Sequence, residues 1–327
     1  MDKRAAITII DIGYNYEQEI KQLEALGLVA QFLPLEGTSD TDRIIQTLSD
    51  FDIVLAGPEL WNETALSGVS SLGMIARLGA GVEKIDLGAA ARLGIAVANT
   101  PGANACSVAQ HALCFMLDLA LSVTKYDRGM RSGSVTRGRA RDLIGKTIGL
   151  VGFGNIPRTL AKLLRGFDVE ILAYDVYKDE QAAAALGARF VELDELVTRS
   201  DFISLHVPLN NHTQDMADKA FFKKMKKSAY LINTSRGGVV KEDDLIEALQ
   251  TGEIAGAGLD VYETSPLRTD SPLLHMENVV HTPYVAFSSE LGNTRTMQMA
   301  IQSISEFLGG QPISHLLNPD YVNHLKT

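Results

Sequence analysis

Residues 147–157 read Thr-Ile-Gly-Leu-Val-Gly-Phe-Gly-Asn-Ile-Pro, and they decide the fold of the larger part of this chain. The first five form a mostly apolar run that is typical of a strand buried on both faces. Gly152 and Gly154 then favour a tight turn, and Arg158–Leu164 has a helical pattern. Pro157 is compatible with the first turn of a helix, where its missing N–H would have no intrahelical acceptor. The stretch therefore predicts a strand, a glycine turn and a helix in immediate succession.

The same alternation continues on both sides of this stretch. Short apolar runs separated by helix-like segments indicate parallel sheets covered on both faces. We therefore predict an α/β chain with two Rossmann-like, doubly wound parallel-sheet domains. The predicted strands of the first series are Ala6–Ile10, Ile53–Ala56, Met74–Leu78 and Ile95–Ala98. Those of the second series are Thr147–Val151, Glu170–Tyr174, Ala188–Val191, Phe202–Leu205, Ala229–Asn233, Ala255–Leu259 and Asn278–His281.

The segment between the two series has a different character. Asn99–Asn104 contains Pro and Gly and predicts a turn. Ser107–Val123 is apolar almost all round, which predicts a buried helix, either in a core or at a dimer contact. Gly129–Arg141 is rich in Gly, Ser and Arg and indicates an exposed connection or arm.

Composition excludes several classes of protein. The 327 residues are 46% apolar and 21% charged, which is typical of a folded chain of about two domains. The net charge of −10 argues against nucleic-acid binding, because such affinity comes largely from clustered Lys and Arg. The basic run Lys223–Lys227 is interpreted as solvated surface.

The cysteines and the N-terminal residues bear on the cellular compartment. Cys106 and Cys114 would lie about 12 Å apart along one helix, too far for a disulfide. We expect both to be small buried residues, and two cysteines alone cannot make a zinc site. The apolar run Ala112–Val123 is too short to span a membrane. Met1–Arg4 leads directly into a strand-like run, so we expect a cytoplasmic protein.

The glycine turn has the pattern of a dinucleotide site. Gly152 permits the turn and Gly154 lets the backbone approach a pyrophosphate, which would meet the free amides of Asn155 and Ile156 at the helix N-terminus. Asp175 follows the next strand, 175 − 154 = 21 residues on, where an acid that binds the ribose hydroxyls is expected. Its charge would repel a 2′-phosphate, so the pattern favours NAD over NADP. The alternative is a glycine-rich turn without a ligand.

A second polar motif follows the predicted strand Ala229–Asn233. Thr234 and Ser235 precede Arg236, and two glycines follow it. Ligands of open α/β sheets bind beyond the carboxyl ends of the strands, and a guanidinium can hold a carboxylate through two hydrogen bonds. The motif therefore indicates an anionic, carboxylate-like ligand.

From about Ile75 to Gly310, the sequence resembles the D-isomer-specific 2-hydroxyacid dehydrogenase family. The resemblance rests on Arg77–Asp86, Asn99–Asn104, His206–Leu209 with Thr213, Arg236 and Asp260. It implies an NAD domain at 100–287, inserted into a substrate domain formed by 1–99 and 288–327, and a homodimer. Together with the patterns above, it implies substrate contacts at Gly79, Ala80, Gly81 and Arg236. The implied NAD contacts are Gly152, Gly154, Asn155, Ile156, Asp175, Val207, Pro208, Thr213, Thr234, Ser235 and Asp260.

The chain departs from the family pattern at the catalytic pair. Where relatives have a histidine that protonates the substrate and a glutamate that tunes it, this chain has Tyr284 and Ser265. A milder change is Gln110, where many relatives have glutamate. Three readings remain open: Tyr284 is the proton donor, another donor such as His281 or the substrate itself serves, or the protein binds NAD(H) as a regulator. Tyr284 is equally compatible with an aromatic ring that fills the vacated pocket.

The retained arginine favours an enzyme among these readings. A buried Arg236 without an anion would be costly, and the Gly79–Gly81 loop is intact. We therefore expect an NAD-dependent oxidoreductase that interconverts a small 2-hydroxy acid and its 2-oxo acid, with Arg236 and Tyr284 as catalytic residues.

Overall fold

The computed structural model describes residues 2–9, 14–35, 37–134 and 137–325. Its contacts divide the chain into two compact units. The first unit combines Met1–Asn104 with Glu290–Thr327, and the second is the continuous stretch Ala105–Ser289. The predicted assignment of substrate to 1–99 and 288–327, and of NAD to 100–287, concerns ligands and stays a prediction.

The first unit is built on a five-stranded parallel sheet. Its strand order is β2-β1-β3-β4-β5, so the order reverses at β1. The central strand Ile53–Ala56 is buried along its whole length, as a sheet covered on both faces requires. The elements are β1 Arg4–Ile7, α1 Glu17–Ala25, β2 Val29–Phe32, α2 Thr41–Leu48, β3 Ile53–Ala56, α3 Glu63–Gly68, β4 Met74–Arg77, α4 Leu87–Arg92 and β5 Ala96–Ala98.

The second unit contains a seven-stranded parallel sheet in the order β12-β11-β10-β9-β6-β7-β8. The order reverses between β6 and β9, which are hydrogen-bonded neighbours. Its helices are α5 Ala105–Leu121, α6 Val123–Arg131, α7 Asn155–Leu164, α8 Glu180–Ala185, α9 Leu193–Arg199, α10 Lys219–Lys224 and α11 Glu242–Gln250. Its strands are β6 Thr147–Val151, β7 Glu170–Tyr174, β8 Ala188–Phe190, β9 Phe202–Leu205, β10 Tyr230–Asn233, β11 Gly256–Leu259 and β12 Val279–His281.

The chain then returns to the first unit through α12 Glu290–Leu308. Met297, Ala300 and Ile304 of this helix are buried in the core that also contains residues of β1, β3 and β4. The predicted α/β class, with two parallel sheets and one unit inserted into the other, is confirmed.

Two glycines inside strands allow helices to pack closely on the second sheet. A Cβ at Gly258 of β11 would lie 2.7 Å from the side chain of Phe115 on α5. A Cβ at Gly149 of β6 would collide with Leu196 and Ser200, at the end of α9. Glycine weakens a strand, so these positions trade strand propensity for close helix–sheet packing.

Several predicted details are wrong. The apolar helix ends at Leu121, and a second helix, α6, begins after Ser122, which has a φ of 58°. The predicted connection from Gly129 therefore starts inside a helix; Val135 and Thr136 lie outside the described residues. Cys114 is exposed and Cys106 half-buried, because both lie away from the fully buried face of α5. Ile10, the last residue of the first predicted strand, also lies outside the described residues.

Among the residues that the structure describes, no single helix is long and apolar enough to cross a membrane. The α5–α6 pair, bent by 65°, is long and apolar enough only when the two helices are taken together. Within the same residues, no three His, Cys, Asp or Glu side chains lie together as metal ligands.

Candidate active site

The turn after β6 is shaped by two glycines with different reasons to be glycine. Gly152 has a φ of +94°, and a Cβ there would lie 2.8 Å from the carbonyl oxygen of His206. A Cβ at Gly154 would meet nothing within 4 Å, so the space above this residue is open. Gly154 also caps α7 without a side chain, which leaves the amides of the first turn facing outward. An anionic group can therefore approach the backbone at the start of α7.

Asp175 lies directly after β7 and ties that strand end to the glycine turn. Its Oδ2 accepts the Phe153 amide at 2.6 Å, and its Oδ1 accepts the Tyr177 amide at 2.9 Å. Each oxygen keeps a further lone pair for a hydroxyl donor. Nearby cations are paired with other acids: Lys178 with Glu192, and Arg158 with Asp179, both at 2.9 Å. The edge thus suits ribose hydroxyls better than a phosphate.

Two buried polar side chains beside this turn lack a partner among the described residues. They are His206, which follows β9, and Thr234, which follows β10. Neither ring nitrogen of the histidine, nor Oγ1 of the threonine, makes a hydrogen bond there. Burial lowers the pKa of His206 to about 3, so its ring is neutral. Buried polar atoms are nearly always satisfied, so unpaired ones call for a ligand or a water. They lie at the carboxyl edge near the strand-order reversal, where open α/β sheets bind nucleotides.

The residues of this edge therefore fit NAD. The open cradle at Gly154, the amides of Asn155 and Ile156, the acceptor Asp175 and the unpaired His206 and Thr234 are the groups that such a ligand requires. These residues come together around the carboxyl ends of β6, β7, β9 and β10.

The predicted contact Thr213 has a different local role. Its hydroxyl donates to the Pro208 carbonyl oxygen at 2.5 Å and accepts the Asn210 amide at 2.9 Å. The side chain therefore holds together the loop that begins with Val207 and Pro208. Pro208 is exposed and Val207 half-buried, so both can meet a ligand while Thr213 shapes the loop.

Arg236 is presented by a turn that Asn233 organises from below. Asn233 is buried at the end of β10; its Oδ1 accepts both the amide (3.0 Å) and the hydroxyl (2.8 Å) of Ser235. Its Nδ2 donates to the carbonyl oxygen of Arg236 at 3.0 Å. A side chain at Gly237 would collide with the carbonyl of Tyr262, which fixes the path of the chain beyond the arginine. These contacts fix the backbone at Arg236, and Nη1 of the arginine donates to the Ser235 carbonyl oxygen at 2.8 Å.

Asp260 anchors the loop that carries Tyr284. Its Oδ1 accepts the Thr282 hydroxyl at 2.6 Å and the Val285 amide at 2.9 Å, and its Oδ2 accepts the Ala286 amide at 2.9 Å. Its carbonyl oxygen accepts the Tyr284 amide at 2.9 Å. Tyr284 has a φ of +57°, which is rare for a bulky residue, and its side chain is 41% exposed. Asp260 itself is 1% exposed and keeps one lone pair of Oδ2.

Both ring nitrogens of His281 make hydrogen bonds within the second unit. Its Nε2 lies 2.8 Å from the Leu273 carbonyl oxygen, and its Nδ1 lies 3.3 Å from the Tyr262 hydroxyl. Since a carbonyl only accepts, Nε2 carries the proton. Burial lowers the pKa of His281, which keeps the ring neutral. Both nitrogens are therefore occupied, and Ser265, at the position where the family resemblance implies a glutamate, is exposed.

The remaining predicted substrate residues lie in the first unit, after β4. Gly79 has a φ of +137°, and its amide donates to the Thr100 hydroxyl at 2.8 Å. Asn99 donates from its side chain to the Ala80 carbonyl oxygen at 2.8 Å, so the loop is held from its carbonyl side. Within the described residues, the amides of Ala80 and Gly81 meet no backbone acceptor. These two amides are available to an anion.

A buried acid that sequence reasoning missed lies at the same sheet edge. Glu59 follows β3 and is 1% exposed, and neither carboxylate oxygen has a partner among the described residues. Burial raises the pKa of Glu59, and the polar groups of Thr8 and Trp61 and the charge of Arg77 oppose that shift. No motif marked this residue, because its burial follows from the fold of the loop after β3.

Comparison with known proteins gives consistent similarities. Residues 113–286 match the family model described as "D-isomer specific 2-hydroxyacid dehydrogenase, NAD binding domain". The chain is 36% identical over 280 residues to a D-3-phosphoglycerate dehydrogenase of Archaeoglobus fulgidus, covering 85% of this chain and 53% of that protein. It is 33% identical over 304 residues to a hydroxypyruvate reductase of Blautia hydrogenotrophica, covering 90% of this chain and 93% of that protein.

Solved structures show the same similarity. An NAD-dependent formate dehydrogenase from Staphylococcus aureus, solved in complex with NAD, superposes with a TM-score of 0.82 at 27% identity, covering 96% of this chain and 98% of that one. The chain thus spans about half the length of the archaeal relative and nearly all of the other two proteins.

Proposed function

The chain belongs to the D-isomer specific 2-hydroxyacid dehydrogenase family, and from this membership we propose that it interconverts a small 2-oxo acid and the corresponding 2-hydroxy acid. The observation that carries the proposal is the Arg236 turn, whose backbone Asn233 fixes beside a strand edge that fits NAD. NAD supplies or accepts the hydride. The residues of this chain bind, orient and protonate the substrate.

Cofactor binding follows from the carboxyl edge of the second sheet. The first-turn amides of α7 take the pyrophosphate, and the free lone pairs of Asp175 take the ribose hydroxyls. The remaining lone pair of Asp260 Oδ2 suits the carboxamide of the nicotinamide. A 2′-phosphate would meet the charge of Asp175, so NADP is disfavoured.

Two sets of N–H donors suit a carboxylate. Arg236, in the second unit, carries a planar guanidinium of a kind that can hold a carboxylate through two hydrogen bonds, and its Nη1 also donates to the Ser235 carbonyl oxygen at 2.8 Å. The Ala80 and Gly81 amides, in the first unit, meet no backbone acceptor among the described residues. An asparagine fixes the backbone at each place, because Asn233 donates to the Arg236 carbonyl oxygen and Asn99 to that of Ala80, so little backbone ordering is needed when an acid binds.

Proton transfer falls to Tyr284 in this proposal. As hydride reaches the substrate carbon, the phenol proton passes to the carbonyl oxygen, and solvent reprotonates the tyrosinate. Three features support the role: its left-handed backbone, its 41% exposure and the anchoring of its loop by Asp260. By contrast, the Tyr262 hydroxyl is engaged by two carbonyl oxygens, and burial raises its pKa to about 12.

The decisive experiment is NADH oxidation by the purified protein against a panel of 2-oxo acids, with Tyr284→Phe in parallel. We expect wild-type turnover with at least one acid and a fall of about 10²-fold or more in the variant, the range of general acid catalysis. Full activity of Tyr284→Phe would remove the tyrosine from the mechanism while leaving the reaction in place. NADH binding without turnover of any acid would contradict the reaction itself.

A homodimer is the assembly that we propose. Four large apolar side chains are exposed between the end of α5 and the start of β6: Leu121, Val123, Met130 and Ile144. Exposed apolar surface of this kind is available for a subunit contact. Light scattering coupled to gel filtration should give the mass of two chains, and Val123→Lys with Met130→Glu should shift it to one. A monomeric wild-type protein would contradict the proposal.

A further inference from the structure

His111, on α5, contacts Thr282 and Asp260, the residues that hold the loop carrying Tyr284. Its Nε2 lies 2.9 Å from the Thr282 hydroxyl and 3.9 Å from Oδ1 of Asp260. The imidazole ring of His111 also packs edge-to-face with the ring of Phe115, and the two ring centroids lie 4.7 Å apart. The side chain is half-buried, and neither the sequence motifs nor the proposed mechanism gave it a role.

The direction of these hydrogen bonds is fixed by the amides of the loop. Val285 and Ala286 donate N–H groups to the Asp260 carboxylate, so this carboxylate acts as an acceptor. The Thr282 hydroxyl therefore donates to Asp260, and its lone pair faces His111. Nε2 of His111 must then carry the proton and donate it to Thr282. Burial lowers the pKa of His111 and the charge of Asp260 opposes that shift, which is compatible with a neutral ring that donates from Nε2.

Two hydrogen bonds thus run in one direction, from His111 to Thr282 and from Thr282 to Asp260. The hydroxyl of Thr282 cannot rotate away from Asp260 without losing His111 as its donor. Asp260 in turn is fixed in the rotamer that accepts the amides of Val285 and Ala286, the two residues that follow the left-handed Tyr284. Hydrogen bonds in such chains reinforce one another, so the first member influences the last.

We propose that His111 is a positioning residue that holds Tyr284 in its left-handed conformation through Thr282 and Asp260. This inference deepens the proposed function, since it rests on Tyr284 acting on the substrate. It assigns the histidine to the geometry of the loop and leaves proton donation to the tyrosine.

Hydrogen exchange tests the positioning without any turnover. In His111→Phe the ring volume stays and the donor is lost, so the segment 283–287 should exchange faster, while the strands of the sheet keep their wild-type rates. In His111→Gln the side-chain amide can still donate to Thr282, so slow exchange should persist. His275→Phe, at an exposed histidine of the same unit, is the matched control and should change nothing in this segment. Unchanged exchange in His111→Phe would overturn the proposal.

Kinetics and a second variant complete the test. We expect kcat of His111→Phe to fall by on the order of tenfold with little change in NADH affinity, because only the loop is displaced. His111→Gln should keep most of the activity. Thr282→Val removes the next hydroxyl in the same series of hydrogen bonds. The double variant His111→Phe/Thr282→Val should therefore lose no more kcat than the more impaired of the two single variants. Additive losses would refute the coupling.

The proposed reaction and the positioning role of His111 can be refuted independently. A wild-type protein that reduces no 2-oxo acid would refute the proposed function, whereas the exchange arm would still decide whether His111 holds the loop. Should His111→Phe fail to fold, Thr282→Val carries the same expectation of faster exchange at 283–287, and slow exchange there would refute the proposal.

Discussion

Replacing Asn233 by alanine should loosen the backbone at Arg236, the proposed substrate-binding residue, and destabilise the second unit. The buried side chain makes three hydrogen bonds: two from Ser235 to its Oδ1 and one from its Nδ2 to the Arg236 carbonyl oxygen. At about 1 kcal/mol net for each bond, the change should cost roughly 3 kcal/mol of unfolding free energy. The groups left behind lie in a buried turn, so water does not readily replace the lost partner.

Urea unfolding and steady-state kinetics measure the two consequences. We expect a lower urea midpoint with an unchanged slope, and a raised KM for the 2-oxo acid, because the backbone that carries the Arg236 guanidinium is no longer fixed before the acid binds. Asn278→Ala is the matched control, since this half-buried asparagine makes one longer bond, of 3.3 Å, to Ala255. A loss in Asn233→Ala no greater than that of the control, or an unaltered KM, would refute the reasoning.

Three further outcomes follow from the same geometry. Gly154→Ala should keep the wild-type melting temperature yet bind NADH at least about tenfold more weakly, whereas Gly152→Ala should be destabilised; equal effects on NADH binding would contradict the open cradle. Asp175→Asn should raise the ratio of kcat/KM for NADPH to that for NADH, and an unchanged ratio in initial-rate assays would count against the repulsion. Because burial raises the pKa of Glu59, its contribution to stability is fully present below the unfolded-state pKa and is lost as pH rises through the folded-state pKa. The melting temperature of Glu59→Gln, relative to that of the wild type, should therefore be higher at about pH 8 than at about pH 4. An equal difference in melting temperature at the two pH values would contradict this expectation.

The sequence predicted those parts of the fold that depend on local patterns. β3, β6, β7 and β9 have the predicted bounds, because each contains at least three consecutive buried residues. The strand β2, Val29–Phe32, was missed because it lies at the edge of its sheet, and its residues alternate between more and less exposed positions. A search for fully apolar runs cannot find such a strand. The break at Ser122 was missed for a related reason, since composition alone does not reveal a left-handed residue between two helices.

The candidate site divides in the same way. Gly152, Asp175 and Arg236 could be found because glycine, a carboxylate and a guanidinium have roles that depend on neighbouring positions in the chain. Asn233 and His111 act through contacts whose meaning appears only when strands and helices are assembled. His111 lies 171 residues before Thr282, its partner, so no motif could have joined the two.

The anchoring by Asp260 is compatible with Tyr284 as the proposed proton donor. The family resemblance of the sequence implies a histidine at this position, tuned by a glutamate at position 265, and this chain has Tyr284 and Ser265 there. The backbone of the loop, however, is held by Asp260 through the amides of Val285 and Ala286 and through its own carbonyl oxygen, none of which involves the side chain at 284. A phenol that carries its proton is neutral, so it needs no neighbouring carboxylate to stay protonated. If Tyr284 is the donor as proposed, a glutamate at position 265 has no function in the mechanism, and the hydrogen bonds that place residue 284 do not depend on its side chain.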